Sequence, residues 1–85
     1  MEVIFSPNAL EDLEYWKQKR NDKVLKRIKE LITAIQTDPF RGIGKPEPLK
    51  YNYSGMWSRR INLDHRIIYK IEGGNITIHA LKEHY

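Results

Sequence analysis

The sequence predicts an α+β domain, with two N-terminal α-helices packed on one face of a twisted four- to five-stranded, mainly antiparallel sheet. Two observations point to this. Apolar residues recur at helical spacing from Pro7 to Ile35, and after Met56 they alternate in short runs separated by Gly- and Asn-bearing turns. At 85 residues the chain is one domain, 1–85, with no repeat or low-complexity stretch.

Met1–Phe5 is a short apolar run that reads as a strand. At Ser6-Pro7 the serine is suited to cap a helix and the proline to take its first position without losing a bond. Leu10, Leu13 and Trp16 then follow at helical spacing, with acidic residues early and Lys17, Lys19 and Arg20 late, as the helix dipole favours. Asn21-Asp22 breaks this helix. From Lys23, the residues Val24, Leu25, Ile28, Leu31, Ile32 and Ile35 trace one face of a second helix, which Asp38-Pro39 ends because a residue before proline disfavours the α region.

After a loop from Phe40 to Pro46, strands are expected at Met56–Ile61, Arg66–Ile71 and Asn75–Leu81, with Pro48–Tyr51 as a weaker candidate. The period of two sets Ile67, Tyr69 and Ile71 on one face and Arg66, Ile68 and Lys70 on the other. In the preceding strand it separates Trp57, Arg59 and Ile61 from Ser58, Arg60 and Asn62. Arg60 and Arg66 are therefore expected together on the face away from the helices, open to a partner.

Residues 1–40 carry seven Lys/Arg against seven Asp/Glu, and residues 41–85 carry eight against four, so the whole net charge of +4 lies in the strand-rich half. A localised basic surface calls for an anionic partner, nucleic acid or acidic protein, or else is an idle solvated face. The absence of cysteine excludes disulfides, thiolate metal sites and a cysteine nucleophile. No apolar run approaches the roughly 20 residues of a spanning helix, and the N-terminus lacks a signal-peptide pattern, so a cytoplasmic protein with no membrane contact is expected.

Glu47 lies between Pro46 and Pro48, which stiffen its backbone. On spacing alone this is first a rigid connector with an incidental glutamate, and second a preorganised carboxylate beside Lys45 and Lys50, able to accept a proton from a hydroxyl. His84 and Tyr85 end the chain. An imidazole there can donate or accept a proton, although taken alone it reads more readily as idle. His65 and His79 show no metal-ligand spacing, and no phosphate loop or Ser/His/Asp set is recognisable, so neither metal nor cofactor is expected.

The blocks Pro46-Glu47-Pro48-Leu49-Lys50, Ser54-Gly55-Met56-Trp57-Ser58-Arg59-Arg60-Ile61, His65-Arg66-Ile67-Ile68-Tyr69 and His84-Tyr85 resemble, in order and spacing, the YoeB toxins of the RelE superfamily. The resemblance implies a microbial-ribonuclease-like fold and a toxin of a type II toxin–antitoxin pair, an endoribonuclease cutting translated mRNA in the ribosomal A site. It implies Glu47 as general base, Arg66 as the phosphate contact, His84 as general acid and Tyr85 as a positioning residue, with Lys50, Arg59 and Arg60 as RNA-binding cations. The implied partners are the ribosome, mRNA and a YefM-like antitoxin; that an acidic C-terminal antitoxin segment covers the basic face is a separate expectation, and a homodimer is left open. Glu83 is more acidic than expected before the His-Tyr end. The alternative is a non-catalytic module that holds RNA or an acidic protein through Arg60, Arg66, Tyr51 and Trp57.

Overall fold

The computed structural model describes residues 1–82. The elements are β1 (Val3–Phe5), α1 (Pro7–Gln18), α2 (Asp22–Thr37), β2 (Glu47–Pro48), a 3-10 turn at Tyr51–Tyr53, β3 (Trp57–Arg60), β4 (Arg66–Glu72) and β5 (Asn75–Ala80). All five strands form one sheet in the order β1-β5-β4-β3-β2. The β2–β3, β3–β4 and β4–β5 pairs are antiparallel, whereas β1 runs parallel to β5 and pairs Val3 with Ile76 and Phe5 with Ile78.

Both helix starts are set by local chemistry. Ser6 Oγ accepts from Ala9 N at 3.1 Å with Pro7 in the first turn, and Asn21 Oδ1 accepts from Val24 N at 3.1 Å. Ser6 also serves the tertiary structure: its hydroxyl and the Asn8 amide both donate to the His79 carbonyl at 3.0 Å, fastening the start of α1 to β5. Further along α1, Asp12 Oδ2 accepts from Leu81 N at 2.9 Å and Trp16 Nε1 donates to Leu81 O at 2.8 Å.

The buried stripe of α1 differs from the expected one. Ala9, fully buried, carries it with Leu13 and Trp16, while Leu10 is 53% exposed. Ala9, Leu13 and Trp16 keep an i, i+4, i+7 stripe, and the small alanine lets α1 lie close to the sheet. In α2 the stripe is the expected one, with Val24, Ile28, Leu31 and Ile35 buried. Together with Trp57, Ile61, Ile67, Tyr69, Ile76 and Ile78 these residues form the core between helices and sheet.

Of the segment Pro48–Tyr51 only Pro48 lies in a strand. Strand pairing stops at Pro48, and Tyr51 has φ 56, left-handed backbone that no strand tolerates. The opposite sheet face is also not bare, because Ser58 and Ile68 are both buried.

Gly44 is needed where the loop passes beneath α2. Its φ is +84, and a Cβ there would lie 2.8 Å from Leu31 Cδ2 and 3.1 Å from Arg59 Cβ. Gly44→Ala combines left-handed strain with overpacking and is expected to cost about 1–3 kcal/mol, read as a lower thermal midpoint. An unchanged midpoint would show that this contact relaxes freely.

Candidate active site on the cationic sheet face

Strand register assembles the site. Glu47 of β2 lies opposite Ser58 of β3, Ser58 opposite Ile68 of β4, and Arg60 opposite Arg66. All of these share the face away from the helices, since their strand neighbours Trp57, Ile67 and Tyr69 belong to the core. Arg66 Nη1 lies 3.5 Å from Glu47 Oε2 and donates to Ser58 Oγ at 3.2 Å. The Glu47 side chain is 52% exposed and that of Arg66 22%, so the pair is open to an incoming ligand, while Ser58 beneath it is fully buried. Ser58 therefore holds the guanidinium in place. Only its alternation with Arg59 marked it in the sequence.

Two prolines and a strained residue deliver Glu47 to this position. Lys45 has φ 52, and a non-glycine residue in that region costs roughly 1–2 kcal/mol. Pro46 and Pro48 then restrict the chain around Glu47, and Leu49 N donates to Met56 O at 2.8 Å. Directly opposed like charges such as Arg60 and Arg66 disfavour a sheet. Their juxtaposition is relieved by an anion between or beside them, and Glu47 meets part of that need.

Lys50 is exposed just past β2. Lys70, absent from the expected cation set although its alternation with Arg66 put it on this face, lies near the β2–β3 connection: a Cβ at Gly55 would be 3.9 Å from Lys70 Cε. Its ammonium lies 3.3 Å from Glu72 Oε2.

Arg59, expected among the RNA-binding cations, does not share the open face with Arg60. It is fully buried on the helix side of β3. Its Nη2 donates to Asp38 O at 2.6 Å and Arg41 O at 2.9 Å, its Nη1 to Ile43 O at 3.2 Å, and its Nε to Tyr69 Oη at 3.2 Å. Tyr69 in turn donates to Pro39 O. Burial pushes the Tyr69 phenol above its ordinary pKa, partly opposed by the hydrogen bond and charge of Arg59. The last turn of α2 contains no basic residue, so Arg59, reaching in from β3, supplies the cation that the carbonyl-rich end of that helix attracts. It thereby fastens the Asp38–Ile43 loop that leads to Glu47.

Trp57 is likewise unavailable to the Arg66 face. It packs on the helix side, with its ring 4.9 Å from that of Phe40, which takes it out of the binding-module alternative. His65 stands edge-on to Trp16 at 4.9 Å, and His79 Nε2 is buried with no hydrogen-bond partner among the described residues. No group of three His, Cys, Asp or Glu able to hold a metal occurs among the described residues. Glu83, His84 and Tyr85 lie outside the described residues. The chain just before them is anchored, with Leu81 bonded to Asp12 and Trp16 and the Lys82 ammonium 4.1 Å from the Tyr15 ring centroid.

The helix-backed sheet displays a carboxylate and a guanidinium among further cations, a charge pattern that attracts anions. A family model described as the YoeB-like toxin of bacterial type II toxin–antitoxin systems matches residues 5–85. The chain is 49% identical over 85 residues to a toxin YoeB of Synechocystis, covering 100% of this chain and 98% of the relative. Among solved structures it is similar to one described as a YoeB–YefM complex from Staphylococcus aureus, with TM-score 0.89, 44% identity and coverage of 100% of this chain and 98% of that one. It is also similar to a structure described as a YoeB dimer from the same organism, with TM-score 0.90, 43% identity and coverage of 100% and 98%. The chain belongs to the YoeB family, toxins of type II toxin–antitoxin systems, and its fold is the RelE-like α+β fold.

Proposed function

We propose that this domain is a ribosome-dependent endoribonuclease that cuts translated mRNA in the ribosomal A site. The observation that carries this reading is the solvent-accessible Glu47 carboxylate 3.5 Å from Arg66 on the cationic sheet face. RNA has a 2′-hydroxyl beside each phosphate. Glu47 removes its proton, the 2′-oxygen attacks phosphorus, and the bond to the 5′-oxygen breaks, leaving a 2′,3′-cyclic phosphate. His84 protonates the departing oxygen and Tyr85 positions the substrate. Arg66 stabilises charge on the non-bridging oxygens, which a permanently protonated guanidinium does without exchanging a proton. Each acid or base contributes roughly 10²–10⁴ in rate, and the ribosome contributes in-line placement of the nucleotides.

Arg60 and Lys50 hold the flanking phosphates on this reading. A YefM-like antitoxin neutralises the toxin by laying an acidic C-terminal segment on the same cationic face, and a second copy of the toxin pairs with the first. The S. aureus relatives described as a YoeB–YefM complex and a YoeB dimer support these partners. The test is to add the protein to translating ribosomes, map the new mRNA ends and assay the upstream fragment for a 2′,3′-cyclic phosphate. Cuts at A-site positions with that terminus are expected. Intact mRNA, with the protein folded and ribosome-bound, would leave only a binding role.

A further inference from the structure

The turn that follows β2 has a feature the acid–base chemistry does not use. Tyr51 is 92% exposed and has φ 56, so a bulky aromatic residue is held in the left-handed region with its ring in solvent. Packing does not reward that strain, which costs on the order of 1–3 kcal/mol, and strain of this kind gathers at functional sites. The turn is nevertheless well bonded. Tyr53 N donates to Lys50 O at 3.1 Å, Ser54 N to Tyr51 O at 3.0 Å and Met56 N to Tyr53 O at 2.9 Å. Tyr51 and Tyr53, with Leu49, Lys50 and Asn52, line an open hollow of about 420 Å³.

This turn continues directly from the proposed base. Tyr51 lies four residues beyond Glu47, so their Cα atoms are no more than about 14 Å apart, one or two nucleotides of a bound strand. Exposed Lys50 lines the hollow and supplies a cation beside an aromatic surface, while Lys70, paired with Glu72, lies near Gly55 at the end of the same connection. Aromatic faces beside cations that track a phosphate backbone are how single-stranded nucleic acid is held, because every base offers a π-face.

We propose that Tyr51 is a stacking platform for a nucleobase of the RNA strand, one or two nucleotides from the scissile phosphate. The proposal rests on the ribonuclease reading and names how that site grips its substrate. The ring acts by its face, so the hydroxyl is dispensable.

The test compares Tyr51→Asn, whose short side chain tolerates left-handed backbone, with Tyr51→Phe. The first readout is binding of a fluorescently labelled single-stranded RNA oligonucleotide and of the same strand carrying one abasic site at successive positions. The second is cleavage on translating ribosomes. Tyr51→Asn is expected to weaken RNA binding roughly 5- to 150-fold and to raise KM more than it lowers kcat, with an unchanged or higher thermal midpoint. Tyr51→Phe should bind as the unaltered protein does. An abasic site at one position should weaken binding by the unaltered protein and have no effect on Tyr51→Asn. Equal binding by all three proteins, a loss in Tyr51→Phe as large as in Tyr51→Asn, no sensitivity to any abasic site, or no binding of either strand would overturn the proposal. Failure of the ribonuclease reading is separate: it shows as absent cleavage by the unaltered protein, while the binding comparison still decides the role of Tyr51.

Discussion

Glu47→Gln and Arg66→Ala are each expected to lower mRNA cleavage on translating ribosomes by at least about tenfold, and toward the full worth of an acid–base or charge-stabilising group, roughly 10²–10⁴. Neither change should unfold the domain. The ion pair they form is 3.5 Å long with Glu47 half exposed, and such pairs contribute about 0–1 kcal/mol. Arg66→Lys is the sharper probe. It keeps the charge but loses the planar guanidinium whose Nη1 bonds Ser58 and faces Glu47 and whose fork suits a phosphate, so little recovery is expected. If single-turnover cleavage by folded Glu47→Gln and Arg66→Ala proteins matched that of the unaltered chain, these two residues would not be the base and the phosphate contact.

Arg59→Met is expected to have the largest effect on stability. The guanidinium is fully buried and satisfies three backbone carbonyls and the Tyr69 hydroxyl. Removing it takes the donor from three part-buried carbonyls and the buried Tyr69 hydroxyl and leaves a void where its end groups sat, a loss of about 3–5 kcal/mol. A domain of this size has about 5–15 kcal/mol in all, and each kilocalorie is worth about 4–8 °C in Tm, so the midpoint should fall by more than about 10 °C. Arg59→Lys should not restore it, because one ammonium cannot span carbonyls spread from Asp38 to Ile43. Arg60→Ala, one residue along and on the other face, should leave the midpoint nearly unchanged. Equal midpoints for Arg59→Met and Arg60→Ala would remove Arg59 from this role.

The same network predicts an alkaline weakness. The Tyr69 phenol is raised above its ordinary pKa in the fold, chiefly by burial. Its contribution to stability is therefore fully present below the unfolded value of about 10 and is lost as pH rises through the higher folded value. Chemical denaturation from pH 8 to 11 should show a steeper loss for the unaltered protein than for Tyr69→Phe. Parallel profiles would show that the buried phenol does not govern it.

What could be read from the residues was whatever depends on near neighbours. Ser6-Pro7, Asn21 and Asp38-Pro39 set the helix ends because capping and proline sterics act within four residues. The period of two put Arg66, Arg60 and Ser58 on one face because side-chain direction in a strand follows backbone pleating alone. Pro46 and Pro48 marked Glu47 for the same local reason.

Tertiary structure decided the rest. Two adjacent arginines have the same chemistry, yet Arg59 is internal and Arg60 is not, because only Arg59 meets the carbonyls of Asp38, Arg41 and Ile43 in the chain just past α2, some 16–21 residues away. Ala9 displaced Leu10 from the buried stripe because the sheet sets how close α1 can lie. The 3.5 Å approach of Arg66 to Glu47 spans two strand pairings, and Tyr51 takes a left-handed turn where a strand was expected. Sequence alone determined the two helices, the strands at the N-terminus and after Met56, the face that carries the charge and the family resemblance. Which cation faces the ligand and which holds the scaffold depends on acceptors distant in the chain, and only folding brings them together.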